Sequence, residues 1–214
     1  MSEDRLIVWL YGDLSCPWTY LVLGRLRRLE ARSGGRFAVG WRPLPIAPSR
    51  SGADPEREER DGTPGSPATG SGMPDPGEFS RAGLPYSAAP SPSIASDALR
   101  AVEFARDLDE DLAGRVLDGL FRAGYAGTVR LDGREALITV CEELGLDREG
   151  LKHALADGRY DPEFERAEAE AERYGIDSVP TILVGRSMLV GAAPEQVLES
   201  VIRGALDESN RARA

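Results

Sequence analysis

The sequence is poor in the residues that build disulfide frameworks and metal centres. Its 214 residues include two cysteines and one histidine. Two cysteines are too few for a disulfide framework. A single histidine, His153, argues against a histidine-based catalytic triad and against a histidine-rich metal site. We therefore expect no bound metal ion.

Excess positive charge and long apolar runs are also missing. The formal net charge is −10, whereas a nucleic-acid surface needs clustered lysine and arginine. The first apolar run, residues 6–11, is too short for a signal-peptide core or a membrane span. We therefore expect a cytoplasmic protein with reduced thiols and with neither a nucleic-acid nor a membrane partner.

The N-terminal pattern predicts a strand, a helix and a second strand. Residues 5–11 form a continuous apolar run that is typical of a buried strand. Residues 17–32 have helical spacing and end at a Ser-Gly-Gly stop, and residues 36–42 alternate as a strand does. Because the return loop is short, we expect a βαβ unit with parallel strands.

The middle of the chain changes composition twice. Residues 49–93 are rich in glycine and proline and predict a flexible, irregular surface segment, with a lid over an active site as the alternative. From residue 94 onward, apolar spacing predicts five helices. Residues 181–184 and 187–190 predict a β-hairpin, and residues 194–206 predict a closing helix.

Cys16 lies between the first predicted strand and the helix that Pro17 begins. Proline suits the first helical position, and the unpaired N–H groups and dipole at a helix start favour a negative charge. We therefore expect the pKa of Cys16 to fall below about 8.5, the value of a free thiol, which makes it a candidate nucleophile. The alternative is a small apolar residue at a strand–helix junction. Asp13 is expected to cap the turn before it, with tuning of the thiol as the alternative.

Val179-Pro180-Thr181 stands directly before the predicted hairpin. A proline that enters a strand must take a position where no ladder donor is needed, and a minority of X-Pro bonds are cis. In the cis form this loop presents a backbone edge to a substrate. The alternative is a plain turn before a strand.

Residues 13–21, with the sequence DLSCPWTYL, resemble the active-site segment of the DsbA-like thioredoxin family. The likeness is to its FrnE-type branch, which carries Cys-Pro-Trp-Cys-Tyr-Leu after an aspartate. Val179-Pro180-Thr181 is similar to the family's cis-proline loop, and residues 190–194 are similar to the turn before its last helix. Residues 120–123 and 144–160 resemble its helical insertion. The hydroxychromene-carboxylate isomerases and kappa-class glutathione transferases are related to this family.

The resemblance implies an α/β, thioredoxin-like fold with an α-helical insertion. It divides the chain into a discontinuous thioredoxin-like domain, residues 1–48 and 172–214, the Pro/Gly-rich segment, residues 49–93, and the insertion, residues 94–171. It also implies that Cys16 is the nucleophile. Substrate binding is expected at Pro17, Trp18, Val179 and Pro180, with simple packing as the alternative for Trp18.

Thr19 departs from the family pattern, because it stands where the family has its second cysteine. An intramotif disulfide cannot form, so we expect Cys16 to form and release mixed disulfides, or to attack an electrophile, as a single thiol. Thr19 lies one helical turn after Cys16 and is a candidate catalytic residue that donates its hydroxyl to the thiolate. The alternative is drift after loss of function. Cys141 belongs to the same apolar stripe as Leu137 and Leu144 and is expected in the core.

Three functions fit these residues. The first is a DsbA-like, monothiol thiol-disulfide oxidoreductase that uses glutathione or another small thiol as co-substrate, without a tightly bound cofactor. The second is a glutathione-dependent isomerase or transferase of the hydroxychromene-carboxylate isomerase or kappa type, although those enzymes have serine at the nucleophile position. The third is a redox-inactive binding module. The expected partners are a small thiol, a protein disulfide or an electrophilic small molecule. The sequence leaves open whether the protein forms a homodimer.

Overall fold

A computed structural model of the chain describes residues 5–45, 73–87, 95–127, 131 and 133–213. Within these residues it has one four-stranded sheet and eight helices. The strands are β1 (Leu6–Gly12), β2 (Phe37–Pro43), β3 (Thr181–Val184) and β4 (Ser187–Val190). The helices are α1 (Pro17–Arg32), α2 (Pro76–Arg81), α3 (Ala95–Leu108), α4 (Glu110–Tyr125), α5 (Arg134–Glu143), α6 (Arg148–Ala156), α7 (Asp161–Tyr174) and α8 (Glu195–Arg213).

The sheet has the strand order β2-β1-β3-β4. β1 runs parallel to β2 and antiparallel to β3, and β3 runs antiparallel to β4. The parallel pair joined by α1 is the predicted βαβ unit, and β3 with β4 is the predicted hairpin. Because Tyr11 near the end of β1 pairs with Thr181 at the start of β3, the loops beyond these two residues lie at the same edge of the sheet.

Helix α1 places its N-terminus at that edge. Pro17 occupies the first turn and Cys16 is the N-cap, and the helix ends before two glycines with positive φ, Gly34 and Gly35. Its inner face buries apolar residues, among them Leu21 and Leu26. Burial of each leucine side chain contributes roughly 1.5–3 kcal/mol, so this face holds the start of the helix in a fixed position.

Helices α3 to α7 lie between β2 and β3 in the chain, where five helices were predicted. Asp109 and Asp147 cap α4 and α6, because their carboxylates accept hydrogen bonds from Leu112 N–H (2.8 Å) and Gly150 N–H (2.6 Å). The apolar faces of α3 to α6 share one core with β1 and α1. The insertion therefore does not have a core of its own.

Residues 73–87 differ from the flexible segment predicted for residues 49–93. Asp75 caps helix α2 with its side chain. Phe79 on this helix is completely buried, and its ring stacks on that of Tyr86 with 4.0 Å between centroids. Two aromatic anchors thus attach the segment to the core, although its composition is that of an irregular loop.

The βαβ unit, the ββα unit and the inserted helices together form an α/β, thioredoxin-like fold, which confirms the predicted fold class. The predicted domain boundaries stay predictions. Residues 49–72 and 88–93 of the Pro/Gly-rich segment lie outside the described residues. Among the helices that the structure describes, none is long and apolar enough to cross a membrane.

Candidate active site at the start of helix α1

Cys16 lies at the N-cap of α1, after strand β1 and its turn. Its backbone is extended (φ −92°, ψ 112°), and its N–H donates to the carbonyl oxygen of Asp13 at 3.1 Å. Cys16 is 6% exposed, so it is nearly but not wholly closed off from water. Its Sγ lies 3.9 Å from the carbonyl oxygen of Val179. The structure therefore brings the predicted nucleophile and the predicted proline loop together.

The expected lowering of the Cys16 pKa is wrong. Burial raises the pKa of this thiol above its ordinary value of 9.0, and the Asp13 carboxylate raises it further. Hydrogen bonds from the Thr19 hydroxyl and from the Thr19 and Trp18 backbones act in the opposite direction. Desolvation outweighs them because the charged thiolate loses more hydration than the neutral thiol. Cys16 is therefore a neutral thiol at neutral pH.

Thr19 is completely buried one turn into the helix. A Cβ added at Gly12 would lie 2.4 Å from the Thr19 methyl carbon, so that methyl packs on the Gly12 backbone. Its hydroxyl oxygen has no hydrogen-bond partner among the described residues, yet the same hydroxyl lowers the pKa of Cys16. The two observations agree if the hydroxyl is unpaired beside the neutral thiol and donates once the sulfur is charged.

Asp13 caps the turn between β1 and α1, as predicted. Its Oδ1 accepts hydrogen bonds from the Ser15 N–H at 2.6 Å and from the Ser15 hydroxyl at 2.7 Å. Asp13 is 1% exposed, and its charge raises the pKa of Cys16. The carboxylate that orders this turn thus also disfavours the thiolate.

The Val179–Pro180 peptide bond is cis, and hydrogen bonds hold this loop at the start of the hairpin. The Thr181 hydroxyl donates to the Ser178 carbonyl oxygen at 2.7 Å. The Gly191 N–H donates to the Pro180 carbonyl oxygen at 2.7 Å. Pro180 is buried and Val179 is half-buried. The loop is therefore anchored, while Val179 keeps part of its surface accessible beside the thiol.

Pro17 and Trp18 form the first turn of α1, and both are half-buried. Trp18 packs against the main apolar core. Substrate contact at these two residues, and at Val179 and Pro180, stays a prediction.

The second cysteine occupies the helical core, as predicted. Cys141 on α5 is completely buried, and burial raises its pKa to about 12. Both Cys141 and Cys16 are free thiols. His153 on α6 is exposed. In the described part of the chain, no three His, Cys, Asp or Glu side chains group in a way that could hold a metal ion.

Tyr125 is a buried tyrosine that packs on Tyr20 of helix α1, and sequence reasoning missed it. It lies at the end of α4, is 2% exposed, and has a hydroxyl without a hydrogen-bond partner among the described residues. A charge on Cys16 or on Asp13 raises its pKa, as burial does, so the phenol lies within electrostatic reach of both. In the sequence it continues the apolar stripe of its helix, and no local signal links it to the thiol.

The chain matches a protein-family model described as a DSBA-like thioredoxin domain. The match covers residues 7–203, which begin in β1 and end in α8. No curated protein matches this chain.

Solved structures with the same fold include redox proteins and an isomerase. A probable DsbA oxidoreductase from Streptomyces coelicolor is 22% identical with a TM-score of 0.71, over 95% of this chain and 91% of that chain. A 2-hydroxychromene-2-carboxylate isomerase is 21% identical with a TM-score of 0.67, over 98% of this chain and 100% of that chain. The thiol-disulfide exchange protein alpha-DsbA2 from Wolbachia pipientis is 12% identical with a TM-score of 0.63, over 95% and 83%. At these identities the similarity concerns the fold.

Proposed function

This chain belongs to the DSBA-like thioredoxin domain family, and from that premise we propose that it is a thiol-disulfide oxidoreductase working through one cysteine, Cys16. Its co-substrate is glutathione or another low-molecular-weight thiol. Thr19 stands where a second motif cysteine would resolve the mixed disulfide, so a second thiol molecule takes that part.

One contact carries the proposal, the 3.9 Å between Cys16 Sγ and the Val179 carbonyl oxygen. A disulfide that docks along the half-exposed edge of Val179 arrives beside the sulfur. Holding two reacting groups side by side lowers the barrier of a step that is otherwise bimolecular. Cys141 lies in the helical core, so Cys16 is the thiol to which a substrate has access.

The proposed reaction is an exchange in which electrons move only between sulfur atoms. Cys16 loses its proton to solvent, and the thiolate attacks one sulfur of oxidised glutathione. The S–S bond of oxidised glutathione breaks, one half leaves as a thiolate, and a Cys16–glutathione disulfide forms. A second thiolate then attacks the glutathione sulfur, which releases Cys16 and yields a new disulfide. A reducing compartment such as the cytoplasm returns Cys16 to the thiol state in this way.

The test is intact-mass analysis of the full chain during exposure to oxidised glutathione at several pH values. We expect one glutathionyl group per chain, added at a rate that still increases above pH 9.0, because the pKa of Cys16 is raised above that value. Cys16→Ala should abolish the adduct, and Cys141→Ala, the matched control, should keep it. Absence of the adduct at every pH would contradict the proposal and favour a redox-inactive binding module.

A gain-of-function variant tests the single-thiol mechanism. Thr19→Cys rebuilds Cys-Pro-Trp-Cys, with the new thiol one helical turn after Cys16. We expect oxidised glutathione to convert this variant into an internal disulfide, because the second thiol attacks the mixed disulfide faster than a separate molecule can. Intact mass with and without reductant distinguishes the two products. A stable glutathione adduct on the variant would show that residue 19 does not reach the sulfur.

A glutathione-dependent isomerase is the second candidate, and the raised pKa of Cys16 favours it. A neutral thiol is a hydrogen-bond donor, so Cys16 could hold the thiolate of bound glutathione as a serine hydroxyl would. The fold similarity to a 2-hydroxychromene-2-carboxylate isomerase supports this candidate. Cys16→Ser tests this candidate: full turnover of 2-hydroxychromene-2-carboxylate with glutathione by the variant supports the isomerase, and no turnover by the variant or the wild type rules the isomerase out.

A further inference from the structure

Arg25, in the third turn of α1, bonds to three groups from other parts of the chain. Its Nη1 donates to the carbonyl oxygens of Ala192 and Ala193 at 3.1 and 2.9 Å. Its Nη2 donates to the carboxylate of Glu78 on α2. The Arg25 side chain is 11% exposed. Withdrawing a guanidinium this far from water is unfavourable unless its donors are bonded, so these contacts are a built link rather than a surface ion pair.

The two carbonyl groups belong to the turn between β4 and α8. Both alanines, Ala192 and Ala193, are buried, and a buried carbonyl oxygen without a donor lowers stability. The guanidinium of arginine is planar and holds its N–H groups in a rigid fork. One side chain therefore fixes the turn at two points while it also contacts α2.

The same turn holds the loop that faces the thiol. Both ladders of β3 end at Thr181, so Val179 and Pro180 lie beyond the last paired residue. The Gly191 N–H, at the start of the turn, donates to the Pro180 carbonyl oxygen at 2.7 Å. The position of the loop therefore depends on the turn that Arg25 binds.

Helix α1 carries both the thiol and the residue that binds the turn. Cys16 is its N-cap, nine residues before Arg25, and the Cys16 Sγ lies 3.9 Å from the Val179 carbonyl oxygen. The backbone hydrogen bonds of the helix keep the distance between Cys16 and Arg25 constant. The contact from Arg25 to the turn therefore sets the distance from the sulfur to the loop.

We propose that Arg25 is a positioning residue, which holds the Val179-Pro180 loop beside the Cys16 sulfur so that a docked disulfide meets the thiol. The inference rests on the proposed function. Arg25 acts through the turn and the loop and does not contact the reacting sulfur atoms. Orienting a reactant against a catalytic group lowers the barrier of the exchange, and a displacement of about 1 Å gives up much of that effect. A reagent that does not dock on the loop should react at an unchanged rate.

Arg25→Met and Arg28→Met form a matched pair of variants. Each removes one positive charge from α1 and keeps an unbranched apolar stem. Arg28 donates to the Arg81 carbonyl oxygen and pairs with Glu195 at 3.5 Å, so it too joins α1 to α2 and to α8. Its bonds among the described residues do not include the 191–193 turn. The pair therefore separates a role in placing the loop from a general role in holding the helices together.

The experiment compares two reagents at Cys16 in the full-length chain at one alkaline pH. Oxidised glutathione has to dock along the loop, whereas iodoacetamide reaches the sulfur without it. Intact mass follows adduct formation with each reagent, and Cys16→Ala gives the background from Cys141. For Arg25→Met we expect the rate with oxidised glutathione to fall roughly tenfold and the rate with iodoacetamide to stay equal or rise. Arg28→Met should match the wild type with both reagents.

Equal rates with oxidised glutathione for the wild type and Arg25→Met would overturn the inference. An equal fall with both reagents would do the same, because the change would then act on the thiol itself, and so would an equal fall in Arg28→Met. A wild type that forms no glutathione adduct is a different result, since it removes the proposed function and the inference with it.

Should Arg25→Met fail to fold, Arg25→Lys gives a second measurement. Lysine keeps the charge beside Glu78 but lacks the fork that reaches both alanine carbonyls. The same selective loss with oxidised glutathione is expected, and an unchanged rate would again contradict the positioning role.

Discussion

The threonine at position 19 has a methyl that is well packed and a hydroxyl that is not. Its methyl and the indole of Trp41 both lie where a Cβ on Gly12 would be, at 2.4 and 2.7 Å, so a side chain at residue 12 would collide with both. The hydroxyl, in contrast, has no partner among the described residues. A buried polar group in this condition lowers the stability of the folded state relative to an apolar side chain of the same shape.

Thr19→Val is therefore expected to stabilise the protein and to slow its chemistry. The valine fills the same space without the unpaired hydroxyl, so the free energy of unfolding should rise by about 1 kcal/mol. The thiolate of Cys16 loses a donor, so glutathione adduct formation should slow. Urea unfolding and the intact-mass time course measure the two effects. Thr19→Ser keeps the hydroxyl and should keep the rate. A valine variant that reacts as fast as the wild type would contradict the role of Thr19.

The position of Cys16 could be predicted from its neighbours, but its ionisation could not. A strand end followed by a proline is enough to place the residue at a helix start. Its pKa depends on burial, which comes from elements distant in the sequence, including the loop at Val179, 163 residues away. The surroundings of Tyr125 escaped prediction for the same reason, because the ring of Tyr20 on which it stacks belongs to a different helix.

At the scale of elements, helix α2 shows where composition misleads. Glycine and proline between residues 49 and 93 argue against a packed segment, but Asp75 and Pro76 are also a helix start, with an N-cap and a proline in the first turn. Phe79 then supplies one deep anchor. A six-residue helix with a single buried side chain leaves no periodic signal in the sequence.

Phe79→Ala should destabilise the protein by about 3–5 kcal/mol, the range for removing a buried phenylalanine side chain. The ring packs on Tyr86 and, at 5.7 Å, on Tyr20, so the loss also loosens the stack that holds Tyr125. Urea unfolding measures the effect. Met73→Ala, at a residue that is 54% exposed, is the control and should change stability by less than about 0.5 kcal/mol. A similar, small effect at Phe79 would mean that the segment is not anchored to the core.

The ends of elements were predictable only where turn residues mark them. The hairpin has the predicted bounds, Thr181–Val184 and Ser187–Val190, because both strands are short and Gly185-Arg186 separates them. The closing helix was predicted to end at residue 206, where its apolar spacing stops, but it continues to Arg213. Residues 207–212 of this helix are mostly polar and exposed, so apolar spacing does not mark where the helix ends.

At the scale of the whole molecule, the site is assembled by the order of the strands. A parallel β1-β2 pair follows from local pattern and the short connection. The pairing of β3 with β1 joins segments more than 160 residues apart in the chain, and no periodicity encodes it. The resemblance to a known family supplied that step. The thiol and the proline loop meet because β3 lies beside β1 at the edge where α1 begins.

One apolar core extends through both predicted domains. Val8 in the sheet, Leu21 on α1, Leu99 on α3 and Leu198 on α8 belong to the same buried cluster. A chain with a shared core is expected to unfold in one cooperative transition. A change that stabilises or destabilises any buried residue, including one in the helical insertion, should then change the free energy of unfolding of the whole protein.

Cys141 allows this cooperativity to be tested through pH. Burial raises its pKa from 9.0 to about 12, so the folded protein retains a proton that the unfolded chain releases. A raised folded-state pKa contributes stability that is fully present below pH 9.0 and is lost as the pH rises toward 12. Relative to Cys141→Ala, the wild type should lose about 1.4 kcal/mol of unfolding free energy for each pH unit in that window.

The measurement is urea unfolding of both proteins at pH values from about 8 to about 11, where the linkage slope of one thiol accumulates to roughly 3 kcal/mol. The cavity left by alanine lowers the stability of the variant by a constant amount, so the difference in slope, not the offset, carries the information. Other groups with raised pKa values, such as Tyr20, are present in both proteins and cancel. Parallel curves would mean that the helices around Cys141 open separately from the sheet, because the thiol could then ionise without global unfolding.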